Sequence, residues 1–368
     1  MTYDQIDPMK IKTLPLARRK NLVNIEQAAI DPAAAPPAPG PLGRQIDDLS
    51  RRIRSARARG ASVMLVYGAH LIKNGAGPLV NALIDGGFVT HVATHGAGVI
   101  HDWEFAFQGA SSESVGDSAL VGQFGSWDET GRYINLAVIV GAADGLGFGE
   151  SIGKFIAEDG LALPEPKALA EQIAAEPGHP LAAARADLLA TMNRFRLSAG
   201  PMKVDHLFKR YSVSPCAHRR GVPLTVHPGI GYDIFVNHPM FHGGAIGRAA
   251  DTDVRIFANS VLGLTGGVYL SIGSAVMSPQ VFEKAFSCAN NLLARQGREF
   301  IHGHTIAVVD IQGGGDWDWS VGEPPQDHPA YYLRFCKTFH RMGGQVSYLC
   351  CDNRTVLSNL VARLTATA

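Results

Sequence analysis

Short apolar runs alternate along the chain with longer segments that have helical spacing. Runs rich in β-branched residues predict buried strands at 62–67, 88–94, 222–227, 267–272, 305–311 and 345–350. Between them, amphipathic segments predict helices at 45–60, 78–87, 99–107, 253–264, 279–296, 329–342 and 355–364. Strands that alternate with helices predict a doubly wound, mostly parallel, Rossmann-like α/β sheet covered on both faces.

The first 44 residues differ in composition from the rest of the chain. Residues 28–44 are rich in alanine, proline and glycine, which predicts a flexible linker behind a short N-terminal arm. We expect residues 45–368 to form a single α/β domain, with a mostly helical insertion at about 125–215 between two groups of strands.

The composition narrows the classes of function. The 368 residues are 46% hydrophobic, and Lys plus Arg and Asp plus Glu both number 33, so the net charge is zero. A nucleic-acid or membrane-surface partner would favour a basic excess, so we expect neither. Five cysteines form no CxxC pair, and no apolar run reaches about 18 residues. These features predict a cytoplasmic protein.

Glycine-bearing loops follow the predicted strands. In a parallel sheet, ligands bind beyond the carboxyl ends of the strands, where these loops converge. Five of the six loops contain glycine, as in "HGAGVIHD" at 95–102, although none matches GxGxxG. Glycine in any one of them is equally well explained by a tight turn, but five together predict a nucleotide-like ligand.

A cluster of histidines leaves a metal site open as an alternative. His227, Asp233, His238 and His242 lie within sixteen residues, and such side chains suit zinc or iron. Their spacing matches no HExxH pattern, which favours histidines that are polar loop groups or contact a substrate.

Two carboxylates lie beside aromatic residues in "GGGDWDWS" at 313–320. Asp316 and Asp318 next to tryptophan faces suit a substrate ammonium group, through charge pairing and cation–π attraction. The alternative is an exposed acidic loop whose tryptophans pack inward. The chain has no P-loop and no Cys/His nucleophile signature, which argues against ATP chemistry and thiol hydrolysis.

The order of the motifs resembles deoxyhypusine synthase over most of residues 45–365. The resemblance rests on "GAHLIKNGAGPLVNALIDGGFVTHVATHGAGVIHD", then "VPLTVHPGIGYDI", "GGVYLSIGSAV" and "CDNRTVLSNLVA". It implies a Rossmann-like subunit of a homotetramer, with NAD and an amine substrate near subunit interfaces. The resemblance implies that the residues at the positions of the family's NAD-binding motifs contact NAD here. These residues are Ala69, His70, His95, Gly96, Ala97, Gly98, Asp102, Asp233, Gly273 and Asp352.

The chain departs from this family where the family's catalytic lysine lies. Tyr331, Tyr332 and Leu333 occupy the positions of the family's W-G-K, and Met277 and Ser278 replace a lysine and a histidine. Without a lysine placed to form an imine, deoxyhypusine formation on a protein lysine is not expected.

The resemblance and the loops together predict an NAD-dependent transferase or oxidoreductase that acts on a small amine or polyamine-like substrate. His95, His101 or His227 could serve as general base, and Asp316 and Asp318 could anchor the ammonium group. Two alternatives stay open: a metal-dependent hydrolase or lyase, and a nucleotide-binding protein without catalytic activity.

Overall fold

The computed structural model describes residues 3–314 and 316–366. Its strands are β1 (Val23–Asn24), β2 (Val63–Tyr67), β3 (His91–Thr94), β4 (Ala110–Ser111), β5 (Gly160–Leu163), β6 (Gly200–Lys203), β7 (Leu224–Val226), β8 (Val268–Ile272), β9 (Thr305–Asp310) and β10 (Gln345–Cys350). Its α-helices are α1 (Ile25–Ala28), α2 (Gly43–Ala58), α3 (Ala69–Lys73), α4 (Gly77–Asp85), α5 (Gly96–Gln108), α6 (Val115–Leu120), α7 (Asp128–Ala143), α8 (Phe148–Ala157), α9 (Pro166–Ala175), α10 (Ala182–Phe195), α11 (Val213–Arg220), α12 (Gly243–Leu262), α13 (Met277–Arg295), α14 (Arg334–Arg341) and α15 (Asn353–Thr365).

A six-stranded sheet with the order β10-β9-β8-β2-β3-β7 forms the centre of the fold. Every neighbouring pair in it is parallel, and Leu65 of β2, for example, lies between Val92 and Leu270. All five residues of β2 are buried, as expected for a strand covered on both faces. The predicted doubly wound α/β fold is therefore confirmed, and this sheet is entirely parallel.

Alternate side chains of the central strand enter two separate cores. Met64 and Val66 pack with Phe257 and Phe282 on the face covered by α12, α13 and α14. Leu65 packs on the other face, in the core that α2, α4 and α15 help to form. This division follows from the two-residue repeat of a strand, which sends successive side chains to opposite faces.

The order of the strands reverses once, at the middle of the sheet. The chain runs from β2 outward to β3 and β7, and then returns to the other side of β2 with β8, β9 and β10. This is the order of dinucleotide-binding α/β sheets, in which a ligand crevice opens where the two halves meet. The crevice here lies at the carboxyl ends of β2 and β8.

Two loops approach each other closely at this crevice. Gly68 follows β2 and Gly273 follows β8, and a Cβ atom added to Gly68 would overlap the carbonyl oxygen of Gly273. Gly273 itself has a φ of +58°, in the left-handed region that favours glycine. Glycine is therefore required at Gly68 by the close approach of the two loops, and it is favoured at Gly273 by the positive φ.

The segment predicted as an N-terminal arm packs against the domain. β1 pairs antiparallel with β4, so that Val23 lies opposite Ser111. Leu16 and Ile25 are fully buried, and Asn359 of α15 donates a hydrogen bond to the carbonyl oxygen of Pro37. This segment contributes a side chain to the site described below.

The long connection between β3 and β7 carries α5 to α11 and an antiparallel hairpin of β5 and β6. The hairpin was not predicted, because neither of its strands has a run of β-branched residues. Within residues 3–314 and 316–366, no single helix is long and apolar enough to cross a bilayer. One bent pair, α7 and α8, reaches that length and hydropathy together across a break of 111°.

Buried histidines make the stability of the fold depend on pH. Burial lowers the pKa of His91 to about 3, and it lowers the pKa values of His101, His206, His227 and His304 to about 4. An unfolded histidine titrates near pH 6.5, so the unfolded chain binds more protons than the native chain between about pH 4 and 6.5. In this range the histidines make stability rise with pH.

Buried carboxyl groups act in the opposite direction. Burial raises the pKa of Asp233 to about 6 and that of Asp253 to about 8, and it also raises the pKa of Asp102. Between the pKa of an unfolded carboxyl group and its raised pKa in the native chain, the native chain binds the additional proton. The contribution of these groups to the free energy of unfolding therefore falls as the pH rises through this range. Below about pH 6.5 the five histidines outnumber these three carboxyl groups.

We expect the free energy of unfolding, measured by urea denaturation, to be highest near neutral pH. Because the five histidines take up more protons on unfolding than these carboxyl groups release, acidification from about pH 6.5 to 5 should cost on the order of a few kcal/mol. Above about pH 6.5, Asp253 gives a shallow decline toward about pH 8. A stability at pH 5 that equals or exceeds the stability at neutral pH would contradict this balance.

Candidate functional site

A cavity of about 210 Å³ lies at the carboxyl end of β3, beside the first turns of α5. Ala97, Ile100, His101 and Glu104 line it from one face of this helix, because residues three, four and seven apart lie on the same side. The remaining lining residues come from other segments: Arg19, Lys73, Ser112, Glu113, Val115, Phe124, Tyr232, Asp233 and Ile234.

A larger groove of about 700 Å³ lies between α7, α10 and α12. Its arginines are already paired, Arg248 with Asp187 and Arg255 with Asp251. No histidine lines it. The smaller cavity is the better candidate because several buried titratable groups converge on it.

A buried hydrogen-bond network forms one wall of the cavity. Arg19 and Glu104 make a two-pronged ion pair, with nitrogen–oxygen distances of 2.7 and 2.6 Å. Thr130 Oγ1 donates to Glu104 Oε1 at 2.8 Å, and Ser111 Oγ donates to Glu104 Oε2 at 2.5 Å. Ser111 Oγ also lies 2.7 Å from His101 Nδ1. Because the ion pair is buried, loss of either partner would leave an uncompensated charge.

His101 is a candidate proton acceptor in this cavity because one of its ring nitrogens makes no hydrogen bond within the described part of the chain. Burial lowers its pKa to about 4, and the nearby Lys73 acts in the same direction against Glu104. The ring is therefore neutral near pH 7. Its Nε2 has no hydrogen-bond partner among the described residues, so it is available to a bound molecule.

Charges of both signs face the cavity. Lys73, at the end of α3, is half-buried. Glu113 Oε1 accepts hydrogen bonds from the Gly125 amide at 3.1 Å and from Trp127 Nε1 at 2.8 Å. Glu113 Oε2 is buried and has no partner within the part of the chain that the structure describes. An unsatisfied buried carboxylate oxygen favours a ligand that brings a hydrogen-bond donor, such as an ammonium group.

The N-terminus of α5 is occupied by a carboxylate of the protein itself. Asp233 Oδ2 accepts a hydrogen bond from the Gly229 amide at 2.7 Å, and the Ala97 amide also donates to Asp233. A Cβ added to Gly96 would overlap this carboxylate, and one added to Gly98 would overlap Thr94 Oγ1. The glycines of "HGAG" are thus required by packing, and Asp233 lies where the sequence predicts a cofactor phosphate.

Other predicted cofactor residues meet at the crevice between β2 and β8. His95 Nε2 accepts a hydrogen bond from the Ala69 amide at 3.3 Å, and His70 is exposed one residue later. A Cβ added to Gly273 would meet Asn353 Nδ2 at 4.0 Å and no nearer atom of the described residues. Glycine lets a bound molecule approach the backbone here, and the Nδ1–H of a neutral His95 is left to donate a hydrogen bond.

Two predicted cofactor aspartates serve as helix caps. Asp102 is buried and accepts hydrogen bonds from the side chains of Ser212 and Ser214 and from the amides of Val213 and Ser214, at the start of α11. Asp352 accepts from the amides of Arg354 and Thr355 at the start of α15. Both carboxyl oxygens of Asp102 are engaged within the protein, and its contact with a cofactor stays a prediction.

The structure does not assemble the metal site considered from the sequence. His227 lies 3.3 Å from Thr225 Oγ1, His238 pairs with Asp128, and His242 pairs with Asp187. Asp233 is engaged at the start of α5, as described. Among residues 3–314 and 316–366, no group of three or more His, Cys, Asp or Glu side chains is placed to hold a metal ion. His227 is also buried away from the cavity, packed against Phe257.

The acidic loop after β9 lies apart from the cavity lining. Asp316 and Asp318 are exposed, and Asp318 accepts a hydrogen bond from the Ser320 amide at 2.9 Å. Trp319 is buried in the core, and Gly315 lies outside the described residues. This arrangement matches the alternative of an exposed acidic loop with a tryptophan packed inward.

Sequence reasoning missed most of the charged groups that line the cavity. Glu104 carried a usable signal, since it follows His101 by three residues on a predicted helix. Lys73 also lies in a loop that follows a predicted strand. Arg19 and Glu113 carried none, because they reach the cavity only through tertiary packing.

The fold and the site together define a Rossmann-like α/β protein with a charged cavity at the carboxyl edge of its sheet. The sequence matches no family model and no curated protein. Among solved structures, unliganded AgrE is similar with 15% identity and a TM-score of 0.46 over 89% of this chain and 33% of AgrE. A protein described as LOR/SDH, from Methanococcus maripaludis S2, shows 12% identity and a TM-score of 0.43 over 91% of this chain and 73% of its own.

The ternary complex of AgrE with ornithine and NAD+ shows 13% identity and a TM-score of 0.41, over 90% of this chain and 34% of that one. This chain therefore spans about a third of the length of AgrE. At these TM-scores the likeness concerns the general fold and says nothing about what this chain binds.

Proposed function

We propose that this chain is an NAD-dependent enzyme that oxidises a small amine or polyamine-like substrate, with His101 as general base. The observation that carries the proposal is the cavity, in which a neutral histidine lies with an unpaired carboxylate oxygen of Glu113. Glu113 would hold a substrate ammonium group there. This role replaces the one that the sequence assigned to Asp316 and Asp318.

The crevice between β2 and β8 would hold the dinucleotide. Ala69, His70 and His95 lie on one side of it, and Gly273 and Asn353 on the other. When bound, nicotinamide accepts the hydride that leaves the carbon next to the amine nitrogen. The protein's own contribution is to hold the amine and remove its proton.

The chemistry of the cavity follows from the state of its side chains. His101 Nε2 would take a proton from the amine nitrogen, and a bound nicotinamide would supply the acceptor for the hydride, so that charge and atoms balance. Glu113 orients the amine or a second ammonium group, and Lys73 favours a substrate that carries an anionic or carbonyl oxygen. The apolar side chains of Ile100, Val115 and Phe124 line the same cavity and limit its water.

Two measurements test the proposal in order. Freshly purified protein is denatured and any released nucleotide is identified by mass spectrometry, and NAD+ is titrated calorimetrically into nucleotide-free protein, with ATP as control. We expect NAD+ to bind and ATP to bind at least about tenfold more weakly. A panel of amines is then screened for NADH formation.

Failure to bind NAD+ would overturn the proposal. Binding of NAD+ with no turnover on any amine in the panel would favour the non-catalytic nucleotide-binding alternative. The cytoplasmic location and the homotetramer stay predictions, which fractionation and light scattering would check.

A further inference from the structure

The hydrogen bonds among Arg19, Glu104 and Ser111 end at the His101 ring and can orient it. We propose that Ser111 and Glu104, held by Arg19 of the N-terminal segment, fix the proton of His101 on Nδ1 and so leave Nε2 free as the base. They are positioning residues. Their importance for catalysis rests on the proposed function, whereas the tautomer is a property of the folded protein alone.

The first step concerns the protonation of Glu104. Both of its oxygens accept hydrogen bonds from the Arg19 guanidinium, at 2.7 and 2.6 Å. A guanidinium has donors only, so neither of these oxygens carries the hydrogen in its contact with Arg19. Thr130 occupies a further acceptor position on Oε1 at 2.8 Å. In this setting Glu104, paired with Arg19 through both oxygens, accepts the hydrogen bond from Ser111 Oγ.

The second step fixes the direction of the chain of hydrogen bonds. Ser111 has one hydroxyl hydrogen, and the 2.5 Å contact with Glu104 Oε2 uses it. In its 2.7 Å contact with His101 Nδ1, Ser111 Oγ must therefore be the acceptor. The hydrogen lies on Nδ1, and the lone pair of the neutral ring lies on Nε2. A carboxylate that orients a catalytic histidine through the opposite ring nitrogen is a general device.

The third step concerns what holds Ser111 in place. Its strand β4 pairs with β1, and the Leu22 amide donates to the carbonyl oxygen of Ser112 at 2.9 Å. Ser112 has a φ of +69°, a conformation that a non-glycine residue rarely adopts. The N-terminal segment therefore supplies both the strand partner of Ser111 and the cation that fixes Glu104.

The groups that face His101 come from three segments. Glu104 lies on its own helix, Lys73 and His70 lie on α3, and Arg19 lies on the N-terminal segment. Of these, only Glu104 is acidic, and it reaches the ring through Ser111; Glu113 and Asp233 line the same cavity, and neither is hydrogen-bonded to His101. The tautomer therefore depends on this one hydroxyl group.

The test is nitrogen NMR of the full chain labelled with ¹⁵N, in which long-range proton correlations distinguish protonated from unprotonated imidazole nitrogens. The His101 signals are assigned by their loss in His101→Gln. At pH 7 we expect Nδ1 to be protonated and Nε2 to be unprotonated. In Ser111→Ala we expect a mixture of both tautomers, and in the matched control Ser118→Ala the wild-type pattern.

The catalytic readout is separate. With an amine found to be a substrate, we expect Ser111→Ala to lower kcat by about 10- to 100-fold with little change in KM, and Ser111→Thr to restore most of the rate. If Ser111→Ala fails to fold, Ser111→Thr and Ser111→Cys give a graded pair in which the weaker donor should loosen the tautomer.

The outcomes distinguish the proposed tautomer of His101 from the proposed oxidation of an amine. A wild-type ring protonated on Nε2, or a Ser111→Ala variant with an unchanged tautomer, would overturn this inference even if amine oxidation is found. The expected tautomer in a protein that oxidises no amine would leave this inference standing and remove the proposed function.

Discussion

Replacement of His101 with glutamine is expected to lower kcat for amine oxidation by about 10²- to 10⁴-fold, the usual contribution of a positioned general base. Glutamine is close in length to histidine and can still hydrogen-bond with Ser111, so the cavity should keep its shape. NAD+ affinity should stay within about threefold of wild type, because His101 lies outside the crevice between β2 and β8. Steady-state NADH formation and calorimetry measure the two quantities.

The matched control for this variant is His302→Gln, since His302 is exposed and lies outside the cavity. We expect this variant to keep the wild-type rate. The pH profile gives a second check, because the rate should fall only as the pH drops toward the lowered pKa of His101, about 4. A His101→Gln enzyme that retains more than about a tenth of the activity would exclude the histidine as the base.

The second large effect is structural. Gly68→Ala is expected to lower the free energy of unfolding by more than about 4 kcal/mol or to prevent soluble expression. The added methyl group would overlap the carbonyl oxygen of Gly273. That atom belongs to the backbone of the neighbouring loop, so no side-chain rotation can relieve the overlap, and the two halves of the sheet would have to separate.

Gly247→Ala provides the comparison for Gly68→Ala. Gly247 lies within α12, and an added Cβ there meets no atom within 4 Å. Alanine is a better helix former than glycine, so we expect a gain of about 0.5–1 kcal/mol. Urea denaturation of both variants measures the difference. A Gly68→Ala protein within about 1 kcal/mol of wild type would show that the contact between the loops is dispensable.

The sheet could be predicted because its strands are buried on both faces and therefore appear as continuous apolar runs. All six predicted strands are present, with ends that differ by at most three residues. The predicted ends of the helices differ more from the observed ends than those of the strands do. α12 begins at Gly243, ten residues before the predicted start, because "GGAIGRAADT" has little apolar periodicity. The predicted helix at 329–342 is a 3-10 turn at Pro329–Tyr332 followed by α14.

The site could be predicted only in part. His101 and Asp233 follow strands and do lie beside one cavity at the carboxyl edge, as the order of the loops indicated. Their partners could not be inferred, because Arg19 lies 85 positions from Glu104 along the chain. The "HGAG" turn suggested a phosphate site because glycine suits either a ligand or a close-packed side chain, and only the structure showed Asp233 there.

The strand order also determines when the sheet can be completed during synthesis. Val63 of β2 is bonded beside Val268 of β8, so the central pair of the sheet joins distant parts of the chain. Until β8 leaves the ribosome, the half made of β2, β3 and β7 exposes the edge of β2, whose residues are all apolar. Such long-range pairing is slow to form, and the unpaired backbone groups along β2 can bind other chains and cause aggregation in the meantime. A chaperone that covers this edge during translation should raise the yield of the folded protein.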